Sequence, residues 1–143
     1  VWESGYTSTE ADPRGIEADG NLDGIYPDHL RQSDFAVENM TIVNNAANTT
    51  DNVDRMQDVI KIRRGAKATI TNALVKGSGG TIDLIDMNDS KGAGNAASSI
   101  SITYTLNFKN KLNGTLNTFT EPTTNTGADA SLFTWSGYNF SSL

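Results

Sequence analysis

The sequence contains no cysteine. That removes disulfides, thiolate metal sites and a cysteine nucleophile, and it leaves the compartment open. It contains one histidine, His29. A lone histidine cannot build a zinc site without cysteine. Ser33 and Asp34 stand near it, but sequence adjacency is not triad geometry, and no nucleophile elbow is present. Positive charge is scarce: 11 Lys and Arg face 17 Asp and Glu, for a formal net charge of -6. A phosphate binder needs a basic patch, so no nucleic-acid partner is expected. The densest basic stretch, Lys61-Ile62-Arg63-Arg64 with Lys67 close by, has no interleaved aromatics and reads as a solvated strand face. No run approaches the roughly 18 apolar residues that a membrane span needs. Neither a signal peptide nor an initiator methionine precedes Val1-Trp2-Glu3, so a mature or cut product is expected.

Helix signals are nearly missing too. The one candidate is 51–62, DNVDRMQDVIKI, where β-branched residues take over at Val59-Ile60. What the chain has instead is Asn, Thr, Gly, Ser and Asp around short alternating apolar runs. Such a composition suits an extracellular β-protein with many turns. Strands are expected at 35–43, 59–63, 68–70, 72–75, 81–85 and 99–106, with loops at 44–51, 77–80 and 88–98.

Two apolar series run through these strands. Ile16, Ile60 and Ile82 are separated by 44 and 22 residues; Ile42, Leu74 and Leu106 are separated by 32 each. Interleaved, they place one strand of each kind in every turn of a coil. A chain that returns to the same two faces stacks like on like, and each turn completes its neighbour's core. The expectation is all-β: a right-handed parallel β-helix of about three turns. A β-sandwich is the rival, but it gives no reason for in-phase spacing. In the coil, Ile16, Ile60 and Ile82 form an inner row. Glu17, Lys61 and Asp83 form an outer row, about 4.8 Å apart, that sets register and solubility. The 143 residues are read as one domain with a real core: an entry turn at 1–34, stacked turns at 35–106 and a C-terminal cap at 107–143.

The stretches GIEADGN (15–21), FAVENMTIVNN (35–45), IKIRRGAKATITNALVKG (60–77) and SLFTWSGYNF (131–140) resemble the C-terminal part of secreted or surface-attached β-helix proteins from Bacteroidetes, among them hypothetical proteins and lipoproteins. The resemblance implies further turns before Val1. It also implies an extracellular or cell-surface, outer-membrane-associated location. It carries over no catalytic residue. FAVENMTIVN is also similar to strands of pectin-active β-helix enzymes, a likeness generic to stacked strands.

Candidate sites are sparse. Asp19-Gly20-Asn21-Leu22-Asp23-Gly24 has the spacing that opens a calcium loop, with Asp28 the nearest later carboxylate. Position 12 is Leu30 rather than Glu, and the same residues suit a tight corner after a strand. Asp19, Asn21, Asp23 and Asp28 are the candidate calcium ligands, all hard oxygen donors. A hard cation such as calcium is the only kind of metal these ligands suit, and no other cofactor is expected. Glu17, Asp19, Asp23, Asp28 and Asp34, bracketed by Arg14 and Arg31, form an acidic group that suits a sugar groove or an ordinary polar loop. Trp2, Tyr26 and Arg31 are candidate ligand-binding residues. Leu132-Phe133-Thr134-Trp135 reads as an aromatic cap over the last turn. The sequons at Asn39, Asn48, Asn88, Asn113 and Asn139 arise by chance in so Asn- and Thr-rich a chain.

The expected function is a surface or secreted scaffold and binding module for a glycan or a surface protein, rather than a self-sufficient enzyme. The alternatives are a C-terminal piece of a polysaccharide lyase or hydrolase, and a subunit of a larger surface assembly. In each case upstream turns or another chain would cover residues 1–6.

Overall fold

The computed structural model describes residues 2–4, 14–21, 32–45, 56–77, 79 and 83–124. They hold strands and no helix. In chain order the strands are β1 (Trp2–Ser4), β2 (Ile16–Asp19), β3 (Asp34–Glu38), β4 (Thr41–Asn44), β5 (Asp58–Arg63), β6 (Lys67–Gly77), β7 (Asp83–Asp86), β8 (Ser99–Tyr104), β9 (Asn110–Asn113) and β10 (Thr118–Thr120). The chain alternates between two sheets. One runs β1-β4-β6-β8-β10, with β3 also on β6; the other runs β2-β5-β7-β9. Every strand pair is parallel. The result is a parallel β-helix, as the interleaved apolar series implies. The aromatic cap at Leu132–Trp135 lies outside the described residues.

The register corrects both series. Ile16 does pair with Ile60, but Ile60 pairs with Ile85, not Ile82. The inner row is Ile16, Ile60, Ile85 and Leu112, and the outer row beside it is Glu17, Lys61, Asp86 and Asn113. Asp83 therefore leaves the expected outer row and pairs with Asp58. The physical reason is a break in alternation. Val59 and Ile60 are both wholly buried, and so are Leu84 and Ile85 at the matching positions. Counting by twos across such a pair slips the register.

The second series shifts as well: Ile42 pairs with Val75, and Val75 with Tyr104. Ile42 and Val75 are wholly buried, whereas Leu74 and Leu106 are half-buried. The expected strand at 35–43 is split at Asn39, whose φ is 57°; Asn72 in the next turn matches it at 56°. Asparagine tolerates this left-handed conformation better than most residues. The Asn72 amide donates to Asn39 Oδ1 at 2.8 Å, so the two bends stack. A bulge between Ile70 and Ala73 then shortens β8 relative to β6.

The interior is aliphatic. Ile60, Ile62, Ile70, Leu84, Ile85, Ile100 and Ile102 are essentially inaccessible, joined by Met56 and Met87. Beyond Tyr104, the region expected to be cap adds a strand to each sheet, β9 on β7 and β10 on β8. Tyr104, Phe108 and Leu112 pack against the lower core there.

Candidate functional site

The outer face of the β2-β5-β7-β9 sheet is charged, yet much of it is covered. Outward positions on a stacked strand normally face water. Here Asp58, Lys61, Asp83 and Asp86 are between 5 and 8% exposed. Parallel pairing brings them together. Asp58 opens β5 and sits over Asp83, which opens β7; Lys61 sits over Asp86. One oxygen from each of Asp58, Asp83 and Asp86 lies within 4.8 Å of the others.

Burying three carboxylates demands partners. The Lys61 ammonium donates to Asp86 Oδ2 and lies 4.0 Å from Asp58 Oδ2. Arg14 Nε donates to Asp58 Oδ2 at 3.1 Å, and its Nη1 reaches Glu17 Oε2 at 3.1 Å. The Asn110 amide donates to Asp83 Oδ1 at 2.6 Å, and the Asn88 backbone N–H donates to Asp86 Oδ1 at 2.8 Å. Burial pushes the Asp58 carboxyl above its ordinary range, and nearby Asp86 adds to the push. The Arg14 hydrogen bond and the Lys61 charge oppose it without cancelling it.

A second network lies at the strand ends. Arg63 Nε donates to Asp19 Oδ1 at 2.5 Å, its Nη2 bonds Glu17, and its Nη1 lies 3.6 Å from Asp89 Oδ2. Arg64 Nε lies 3.5 Å from Asp89 Oδ1 and 3.7 Å from Asp19 Oδ1. Asp89 also accepts the Lys91 backbone N–H at 2.8 Å; that bond, helped by Arg64 and Arg63, holds its carboxyl below the usual range. The backbone stacks in the same place. Gly20 N–H donates to Arg63 O and Asn21 N–H to Arg64 O, both at 3.1 Å; Arg64 and Gly65 donate in turn to Gly92 O and Ala93 O.

These contacts locate the calcium candidates. Asp19 faces two guanidinium groups, so a cation approaching it there would meet positive charge. Asp19 to Asn21 form a corner laid on the next turn. Asp23 and Asp28 lie outside the described residues, as do Tyr26, Arg31 and His29; Trp2 lies in β1. Asp34 is paired with Lys67 at 2.9 Å, apart from both networks.

Asp58 and Asp86 were not singled out by the spacing arguments. A signal for them exists. D-V-I-K (58–61) and D-L-I-D (83–86) share an Asp, two apolar residues and a charge. Aligning those two stretches gives the observed register directly.

The fold finds its counterpart in one comparison. A family model described as a pectate-lyase like beta helix domain matches residues 2–138. No curated protein matches the chain. No solved structure matches it either. The family match spans nearly all of the chain and agrees with the parallel two-sheet coil, so the chain belongs to the pectate-lyase-like beta helix domain family.

Proposed function

We propose that this chain is a carbohydrate-related β-helix scaffold, displayed outside the cell or on its surface, that binds a glycan or a surface protein without cutting it. Support for the carbohydrate class comes from the family's description and from analogy of fold. Support for binding over cleavage comes from one observation: each carboxylate of the two outer-face networks is engaged by a cation or an amide, mostly across turns. Glycoside cleavage by paired carboxylates needs a protonated acid and a free base or nucleophile on opposite sides of the sugar bond. Carboxylates tied to guanidinium and ammonium groups serve the stacking of turns instead.

A polysaccharide-cleaving reading draws on one contrary feature, the buried Asp58 whose carboxyl is held above its usual range beside Lys61 and Arg14. The two readings separate in one experiment. The protein is incubated with pectate and with neutral polysaccharides. Retention is read by affinity electrophoresis, and cleavage by new reducing ends and by ultraviolet absorbance of unsaturated products. Retention without cleavage is expected. Cleavage that disappears in Asp58→Asn would establish the enzyme reading; neither retention nor cleavage would remove the carbohydrate class.

A further inference from the structure

Asn113 closes β9, the outermost strand of its sheet among the described residues, and Gly114 follows it. Of the asparagines in the chain, only Asn113 precedes a glycine. The fold itself requires that glycine. Its φ is 120°, and a Cβ there would lie 2.6 Å from Met87 Cβ. Asn113 is half-buried and Gly114 is exposed. The Asn88 side-chain amide donates to Asn113 Oδ1 at 2.6 Å. The Asn113 backbone carbonyl accepts the Met87 N–H at 2.7 Å, which ties β9 to the preceding turn. Gly20, Arg64 and Met87 each stand one place past the end of a strand, and each donates its N–H to the next turn. Gly114 holds the same place after β9, and its N–H donates to no described residue.

We infer that Asn113-Gly114 is a self-modification site, at which the folded chain deamidates and loosens its own last described turn. The nucleophile is the Gly114 nitrogen. Hydroxide takes its proton, the nitrogen bonds to Asn113 Cγ, and the Cγ–Nδ2 bond breaks with release of ammonia. A succinimide ring results, and water opens it. Breaking one ring C–N bond gives aspartate. Breaking the other gives isoaspartate, whose main chain runs through Cβ and Cγ. Water enters, ammonia leaves, and nothing is oxidised or reduced. Glycine has no side chain to obstruct the ring, and its nitrogen has no hydrogen bond to give up. The Asn88 amide is aimed at the oxygen that gains negative charge as the ring closes, which is the placement of an oxyanion donor. The consequences follow from register. Asn113 pairs with Asp86, so an aspartate there sets like charges on adjacent strands, about 4.8 Å apart. Isoaspartate lengthens the main chain inside the joint and carries the Asn113 carbonyl away from the Met87 N–H. This inference stands apart from the glycan reading.

The test uses the whole chain as wild type, as Asn88→Ala and as Asn88→Asp. Asn88 is exposed, and aspartate keeps the size of its side chain while removing the donor. Each protein is incubated at mildly alkaline pH, once folded and once in urea, and circular dichroism establishes the folded state. Peptide mapping by mass spectrometry reads aspartate and isoaspartate at every asparagine over time. In folded wild type, Asn113 is expected to convert before any other asparagine. Both Asn88 variants are expected to convert about fivefold more slowly when folded, the worth of one hydrogen bond, and at the wild-type rate in urea. The converted wild type is expected to melt at least about 2 °C below the fresh protein. The inference is overturned if Asn113 stays intact in the folded chain or if another asparagine converts first. It is equally overturned if the folded Asn88 variants convert as fast as wild type, or if conversion leaves the melting temperature unchanged.

Discussion

Asp58→Asn and Asp86→Asn are the same chemical change, made on neighbouring members of one buried cluster, and they should behave differently. Each removes one negative charge and keeps the side-chain shape. Asp86 is bonded directly to the Lys61 ammonium and accepts the Asn88 backbone N–H. An asparagine there either turns its amide donors toward the ammonium or gives up the Asn88 bond. Breaking a buried pair by removing one partner costs about 3–5 kcal/mol. Lys61 keeps Asp58 at 4.0 Å, so the lower end applies, about 3 kcal/mol. For a domain of this size that is a fall of roughly 6–12 °C in melting temperature. Asp58 is the opposite case. Burial raises its carboxyl above the ordinary range despite Arg14 and Lys61, so the charged form is disfavoured in the folded state. Asparagine still offers Arg14 an acceptor oxygen and removes the excess negative charge. Asp58→Asn should therefore cost at most about 1 kcal/mol at neutral pH.

Acid separates the pair further. A carboxyl whose folded pKa lies above its unfolded value binds a proton more readily when folded. Its contribution to stability grows as pH falls through the folded value toward 3.8. Wild type should thus gain on Asp58→Asn as the solution is acidified, since the asparagine has no proton to take up. Calorimetry of the three proteins, at neutral pH and in steps down to about pH 4, reads both effects. A loss at Asp58→Asn as large as that at Asp86→Asn would refute the argument that burial outweighs pairing at Asp58.

Three further outcomes follow from the same geometry. Ile60→Ala removes a wholly buried side chain between Ile16 and Ile85 and should cost about 3–4 kcal/mol in denaturant unfolding, more than Ile16→Ala, whose side chain is only partly buried. Gly20→Ala would place a methyl 2.0 Å from Arg64 O and 2.7 Å from Ala66 N, so one turn must lift off the next; a loss of about 1–3 kcal/mol is expected. Asp89, whose carboxyl is held below the usual range, contributes stability above its unfolded value near 3.8 and loses it as pH falls below that; Asp89→Asn should flatten this part of the acid unfolding curve.

The parallel β-helix was legible in the sequence because a coil repeats its inner face, and a repeat survives small errors of alignment. Ile16 and Ile60 identify two rungs even though Ile82 is the wrong third member. Register was harder to read. It depends on single residues that break the strand period: the buried pairs Val59-Ile60 and Leu84-Ile85, and the left-handed Asn39 and Asn72. None of these looks unusual until its partner in the next turn is found. The equal spacing of Ile42, Leu74 and Leu106 was a coincidence of loop lengths, and burial exposes it, since Val75 is the residue wholly inside.

The candidate site failed to show for a related reason. An acidic group drew attention at 17–34 because its members are close in sequence. The buried cluster joins Arg14, Asp58, Lys61, Asp83, Asp86 and Asn110, which are spread over nearly a hundred positions and meet only through parallel stacking. In a coil, chemistry is assembled across turns, so sequence proximity is a poor guide to it. The better guide is the position a charge holds within its own turn. Asp58 and Asp83 each stand two residues ahead of an inner isoleucine, and Lys61 and Asp86 each stand one residue behind it. Once turns are aligned on those isoleucines, a lysine in one turn is seen to face an aspartate in the next. A residue that repeats the turn position but changes the sign of its charge is then the feature to look for in coils of this kind. It marks where the stack neutralises itself.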